Sequence, residues 1–169
     1  MDADILKYKL LSGAHWRLQQ QFQEKAGPAL KTIITSARVV VGTVVDNILE
    51  EWPFPKYIDR KLKKTSPGIK GFRYQDTDDW DTIKTIFLND KLPVLGECNL
   101  WLDNGGPLFQ LSVESITPAK MDLLAFSEEH DNSPFAVVGA QNKWGLIVDF
   151  YHGKDGKVFE YCRWGNDTK

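Results

Sequence analysis

The sequence predicts an α+β protein in which N-terminal helices pack on a C-terminal antiparallel β-sheet. In the first fifty residues, apolar side chains recur at helical spacing. From Leu92 onward, short alternating segments are separated by Gly, Pro, Asn and Asp. Helices followed by a run of strands are typical of the α+β class. We expect a single domain over residues 1–169, with a helical part at 1–55 and a mainly antiparallel sheet at 92–169.

Two helices are predicted in the N-terminal part. Apolar residues recur every four positions from Leu6 to Phe22, and "AGP" at 26–28 separates this helix from the next. The second, from Leu30 to Trp52, carries an apolar stripe at i, i+3 and i+4 and ends at "WPFP". Its valines favour a strand, but the helical period of its polar residues favours a helix.

The remaining elements follow in chain order. Residues 56–75 give no clear pattern. A helix with an acidic first turn is predicted in "DTDDWDTIKTIFLND" and another in "TPAKMDLLAFSEEH". Strands are predicted in "VLGECNLWLD", "GPLFQLSVESI", "PFAVVGAQ", "WGLIVDFY" and "KVFEYCRW", with hairpin turns at "DNGG" and "KDG".

The terminal hairpin places polar residues near one another without forming a catalytic pair. A two-residue turn at Asp155–Gly156 puts His152 and Cys162 on opposite faces, and a three-residue loop leaves them about 13 Å apart. Alternation predicts a core face of Leu146, Val148, Phe150, Phe159 and Tyr161. The other face carries Asp149, Tyr151, Glu160 and Trp164, which we expect to be a contact surface if no helix covers it.

Composition and motifs argue against several functions. The net charge of -2 gives no general attraction to nucleic acid or to an anionic membrane. An apolar span long enough for a membrane helix is missing, the acidic N-terminus does not resemble a signal peptide, and the expected localisation is cytoplasmic. The spacing of Asp76, Asp78, Asp79 and Asp81 fails the EF-hand pattern, and "EEHD" at 128–131 lacks metal-ligand spacing. The sequence therefore predicts no catalytic residue, metal or cofactor.

Charge is separated strongly in the middle of the chain. Residues 56–73 hold seven Lys and Arg, including Lys61, Lys63 and Lys64, against the single acid Asp59. The four aspartates Asp76, Asp78, Asp79 and Asp81 follow directly. Either group is a candidate contact with a partner, although capping of the following helix also explains the acids.

Two stretches resemble a known family. "NGG" at 104–106 with the following "PLFQLSVESI" is similar to the N-G-G and next strand of SMI1/KNR4-like immunity proteins. "FAVVGAQNKWGLIVDFYHGKDGKVFEY" resembles that family's late hairpin. The resemblance covers about the last third of the chain, and it implies a non-enzymatic bacterial protein that binds and neutralises a toxin. "ECNLWLD" departs from the family, because a helix normally precedes N-G-G there.

Three functions follow from these observations. The first is a non-enzymatic binding protein, specifically an immunity protein whose partner is a toxin domain. The second is an enzyme or small-ligand binder with an aromatic-lined pocket. The third is nucleic-acid binding through residues 56–74, which the overall acidity disfavours.

Overall fold

Seven strands form one antiparallel sheet in a computed structural model that describes residues 27–40, 48, 52, 71–93, 95–102 and 108–165. The order across the sheet is β1-β4-β3-β5-β6-β7-β2, and every neighbouring pair is antiparallel. The strands are β1 (Arg38–Val40), β2 (Arg73–Thr77), β3 (Glu97–Leu102), β4 (Leu108–Ser112), β5 (Phe135–Gly139), β6 (Gly145–Gly153) and β7 (Gly156–Trp164). Together with three helices, this sheet confirms the predicted α+β class.

In the described part of the chain, the helices longer than two turns are α1 (Pro28–Ser36), α2 (Trp80–Asn89) and α3 (Lys120–Glu129). Pro28 lies in the first turn of α1, where its missing N–H costs no hydrogen bond. Val113–Ile116 and Thr117–Ala119 form two single turns that lead from β4 into α3. Both helices predicted after residue 75 are confirmed, whereas the strand predicted through "LSVESI" ends at Ser112.

The helix predicted from Leu30 to Trp52 is wrong at residues 37–40; most of the residues from 41 to 51 lie outside the described ranges, and Ile48 is helical. Ala37 adopts extended φ and ψ angles, and residues Arg38–Val40 form strand β1. Val39 lies opposite Phe109 and Val40 opposite Leu108 in β4. The β-branched residues therefore follow their strand propensity once β4 offers a pairing edge. The apolar period remains helical in the sequence, so only the tertiary pairing reveals the change.

Strand β2 is a second difference from the sequence prediction. Its residues, "RYQDT", show no apolar alternation, and four of the five are exposed. The strand forms by pairing with β7, with Arg73 opposite Arg163 and Thr77 opposite Phe159. Strands β1 and β2 thus lie outside the range 92–169 that the sequence assigned to the sheet. Asp76 consequently belongs to a strand and not to the first turn of a helix.

The sheet buries apolar side chains on both faces. On the first face, α1, α2 and α3 cover the sheet with a large shared core. The helices contribute Leu30, Ile33, Ile34, Ile83, Phe87, Leu123, Leu124 and Phe126 to it. On the second face, Trp52 packs with Trp101, Ile147 and Trp164 in a smaller cluster. The Trp52 indole N–H donates to Asn142 Oδ1 over 3.1 Å, and the Trp164 indole N–H donates to Asn142 O over 3.0 Å.

The terminal hairpin has the predicted faces in a different register. The turn residues are Lys154 and Asp155, with Gly153 opposite Gly156. Leu146, Val148, Phe150, Phe159 and Tyr161 lie on the first face, as predicted. Asp149 lies opposite Glu160 instead of Cys162, which faces Ile147. Each residue of β6 therefore pairs two positions earlier in β7 than predicted. Because the shift is an even number, each side chain stays on its predicted face.

Several predictions concern residues that the structure leaves undescribed. These are the first predicted helix at residues 6–22, the turn at 103–106, and Lys61, Lys63 and Lys64. Among the helices in the described ranges, none combines the length and hydropathy needed to cross a membrane.

Candidate functional site

An exposed group of tyrosines and aspartates extends from the second face, where β2 meets the hairpin, to the first turn of α2. We call Tyr74, Asp76, Asp78, Asp81 and Tyr151 the aromatic–acidic surface. Tyr74 and Tyr151 are 39% and 42% exposed, which is high for large side chains. The Tyr151 hydroxyl donates to Asp76 Oδ2 over 3.3 Å, across the intervening strand β7. This contact joins two groups of candidate residues that are far apart in sequence.

A buried carboxylate holds Tyr74 in place. The Tyr74 hydroxyl donates to Glu160 Oε1 over 2.5 Å, and Glu160 is only 6% exposed. Partial burial of the phenol raises the pKa of Tyr74, and the hydrogen bond to the Glu160 carboxylate raises it further. The phenol therefore stays protonated and keeps donating at physiological pH.

The other predicted residues of the second face are buried. Asp149 lies opposite Glu160 at 2% exposure, and its Oδ1 accepts the Phe150 amide over 2.8 Å. Trp164 is fully buried in the cluster around Trp52. Trp52, which precedes β2 in the chain, thus covers the part of the second face around Trp164. Of the four residues predicted on this face, Tyr151 is exposed. Glu160 is buried and contributes by accepting the hydrogen bond from the Tyr74 hydroxyl.

The acidic stretch divides into structural and exposed residues. Asp79 caps α2, because its side chain accepts the Asp81 amide over 3.1 Å and the Thr82 hydroxyl over 2.9 Å. Asp81 lies in the first turn of α2, where a negative charge is favourable. Asp76, Asp78 and Asp81 are exposed and extend the negative surface from β2 to the helix. The predicted capping role is confirmed for Asp79.

A cleft of about 640 Å³ opens on the first face between β2 and α2. Its walls include Arg73 and Gln75 from β2, Thr85 and Asn89 from α2, and Lys91 after the helix. Arg73 and Gln75 face the cleft beside Arg163 and Tyr161, because each lies directly opposite one of them in the sheet.

The floor of the cleft is a connected polar network centred on Asp90. The Tyr161 hydroxyl donates to Asp90 Oδ2 over 2.5 Å, and Arg163 Nε lies 3.2 Å from the same oxygen. Arg163 is 2% exposed, and its Nη1 also donates to the carbonyls of Gly145 and Trp164. A buried guanidinium requires this many acceptors to offset its desolvation.

Charges around the cleft act on Tyr161 in opposite directions. Burial raises the pKa of Tyr161, as does the Asp90 carboxylate, while the guanidinium groups of Arg163 and Arg73 oppose the increase. Arg73 therefore lies close enough to the floor to act on it electrostatically. The neutral phenol keeps its hydrogen bond to Asp90.

Lys120 supports the floor from behind. Its Nζ donates to Phe87 O over 3.0 Å and to Asp90 O, both at the C-terminal end of α2. Carbonyls in the last turn of a helix lack the usual helical donors, and a positive charge there also interacts favourably with the helix dipole. Burial lowers the pKa of Lys120, and the Asp90 carboxylate acts against this decrease. The contacts fix the Asp90 backbone at the floor of the cleft.

The other polar candidates are dispersed. His152 and Cys162 lie on opposite faces of the hairpin, so they form no nucleophile–base pair. In "EEHD", Glu128 binds Trp80 Nε1 and Lys84, while His130 Nδ1 is 2.8 Å from Phe126 O. Within the described ranges, His, Cys, Asp and Glu form no group of three or more that could hold a metal ion.

The cleft was not predicted from the sequence, because its residues lie far apart along the chain. Asp90 and Arg163 are seventy-three positions apart, and β2 has no recognisable strand pattern. The one local signal is Arg163 within the alternation of β7, at a position that faces the core. A charged residue there requires a partner, although the sequence does not say which.

Comparison of the chain with models of protein families, with curated proteins and with solved structures finds no match.

Proposed function

We propose that this protein binds a basic surface of a protein partner through its aromatic–acidic surface. More specifically, we propose a non-enzymatic immunity protein that neutralises a cognate bacterial toxin. The observation that carries the proposal is the hydrogen bond from Tyr151 to Asp76. It unites the acidic stretch and the hairpin face, which the sequence offered as separate candidates.

The tyrosines supply binding energy in this proposal. Tyrosine is enriched at interface positions that dominate affinity, because it covers a large area and loses little side-chain entropy. Here Tyr74 is held by Glu160 and Tyr151 by Asp76 before any partner arrives. Such preorganisation reduces the entropic cost of association.

The aspartates supply orientation and association rate. Asp76, Asp78 and Asp81 are exposed and lie within six residues of sequence. A concentrated negative patch steers a positively charged partner and raises its association rate at low salt. A toxin that acts on nucleic acid has a basic substrate-binding surface, and carboxylates there take the place of phosphates. The SMI1/KNR4-like resemblance agrees with this type of partner.

The test first searches the genes that neighbour the gene of this protein for a toxin domain, and then uses that domain. Calorimetry with the intact chain should detect a complex, and co-expression should restore growth of cells that produce the toxin. Tyr151→Ala and Asp76→Ala should each weaken binding about tenfold or more, because they remove a hot-spot residue or its charged neighbour. The control is Met121→Ala in α3, which truncates a residue that is 60% exposed.

Three outcomes would contradict the proposal. The first is a neighbouring toxin domain that neither binds the chain nor loses toxicity. The second is equal binding by the control and the Tyr151→Ala variant. The third is affinity that does not fall with salt, since a charged interface of this type is screened.

A further inference from the structure

We propose that the cleft between β2 and α2 binds a small organic anion, with the anionic group held between Arg73 and Lys91. This site lies on the first face of the sheet, whereas Tyr151, Asp76 and the hydroxyl of Tyr74 lie on the second. The inference is therefore independent of the proposed toxin partner.

The charge of the cleft favours an anion. Its lining contains three cations, Arg73, Lys91 and Arg163, and one carboxylate, Asp90. Arg163 and Tyr161 already satisfy Asp90, so this carboxylate presents little negative potential to an incoming ligand. The cleft is thus locally positive in a chain whose net charge is -2. A cleft lined mainly by one sign of charge raises the local concentration of ions of the opposite sign.

The neutral groups favour an organic molecule over a simple ion. Gln75, Thr85 and Asn89 place two amides and a hydroxyl along the walls. The two amides donate and accept hydrogen bonds, and the Thr85 hydroxyl, which donates to Asp81 O over 3.0 Å, can still accept one, so these groups suit hydroxyl or amide groups on the ligand. A volume of about 640 Å³ lies within the range of small-molecule sites. Carboxylates and phosphates share the chemistry that a guanidinium and an ammonium recognise.

The floor is preorganised for this role. Arg163 and Tyr161 are locked by Asp90 and by backbone carbonyls, and Lys120 fixes the Asp90 backbone. The exposed wall residues reorient when a ligand enters, whereas the floor residues do not; these wall residues are Arg73, Gln75, Thr85, Asn89 and Lys91. The fixed floor therefore adds little to the entropic cost of binding.

Nuclear magnetic resonance titration of the intact chain tests the proposal. Sodium citrate and sodium phosphate are added separately at constant ionic strength, with sodium chloride as the reference. Citrate, phosphate or both should give saturable shifts of backbone amides at residues 73–75 and 89–91. The anion that saturates shows whether the site prefers carboxylate or phosphate.

Three variants each remove one positive charge. Arg73→Gln and Lys91→Gln should weaken the saturating anion about tenfold, since each removes a charge-assisted hydrogen bond. Arg38→Gln is the matched control, because Arg38 is exposed on β1 at the opposite side of the sheet. The Arg38→Gln variant should bind the saturating anion with an affinity within about twofold of the parent. Lys91 lies outside the strands, so Lys91→Gln keeps the test valid if Arg73→Gln disturbs β2.

The proposal is overturned if neither anion gives saturable shifts at the cleft. It is also overturned if Arg38→Gln weakens binding as much as the cleft variants do. That result would show a response to net charge and not to a built site.

Discussion

At the residue scale, several polar contacts converge on Asp90. Its carboxylate accepts from Tyr161 and pairs with Arg163, and its carbonyl accepts from Lys120. The side chains of Asp90 and Arg163 are 11% and 2% exposed. Solvent therefore replaces a lost partner poorly, and each member depends on the others. A buried ion pair of this kind costs most when one partner is removed.

We expect Asp90→Ala to destabilise the protein by about 3 kcal/mol, because it leaves the Arg163 guanidinium buried without its carboxylate. Tyr161→Phe is the matched comparison: it removes one donor to Asp90, keeps the ion pair, and should cost about 1 kcal/mol. Urea unfolding followed by circular dichroism measures both. Equal losses in the two variants would contradict the assigned role of the ion pair.

At the element scale, Glu128 connects two helices that are distant in sequence. Its Oε1 in α3 accepts Trp80 Nε1 over 2.7 Å and Lys84 Nζ over 3.0 Å, both from α2. The hydrogen bonds from Trp80 and Lys84 lower the pKa of Glu128 below its usual value. The charged form of Glu128 is therefore the one that supports this helix contact.

We expect the contribution of Glu128 to depend on pH in the acid range. Because its pKa is lower in the folded state, the unfolded chain binds more protons in this window, and stability falls as pH decreases. Glu128→Gln keeps the size of the side chain and removes the charge. Its Tm should lie below the parent at neutral pH, and the gap should close below about pH 4.

Thermal unfolding across the acid range measures this gap, with the exposed neighbour variant Glu129→Gln as control. The effect at neutral pH should be below about 1 kcal/mol, since the pair is partly solvated. A difference in Tm between Glu128→Gln and the parent that widens at low pH would contradict the lowered pKa of Glu128.

At the scale of the whole molecule, the sheet is a central layer with apolar side chains on both faces. The helices cover the first face, and Trp52 with its neighbours covers part of the second. Trp52 is 2% exposed and its indole N–H is bonded to Asn142. This burial covers the middle of the second face and leaves Tyr151 and Asp76 exposed at one end.

We expect Trp52→Ala to destabilise the protein by about 4 kcal/mol, because it opens a cavity against Trp101 and Trp164. Leu95→Ala serves as control, since Leu95 is 72% exposed and its truncation should change stability by less than about 0.5 kcal/mol. Urea unfolding monitors both variants. A loss below about 1 kcal/mol for Trp52→Ala would mean that the second face is not a core.

Part of the candidate site was predictable from sequence. Alternation placed Tyr151 and Glu160 on the face opposite the core, and acidic helix-start chemistry identified Asp79. The contact between Tyr151 and Asp76 was not predictable, because it requires β2 to pair with β7 in one particular register. The cleft was missed for the same reason.

The sequence by itself determined the α+β class, the helices α2 and α3, five strands after Leu92 and the parity of the terminal hairpin. These features depend on local periods and turn residues, which act over a few positions. Only the tertiary structure decided that residues 38–40 and 73–77 are strands, that Asp149 and Glu160 are buried, and that Asp90 meets Arg163. Each of these depends on a partner distant in sequence, and the free energy of such pairings is not encoded in any one segment.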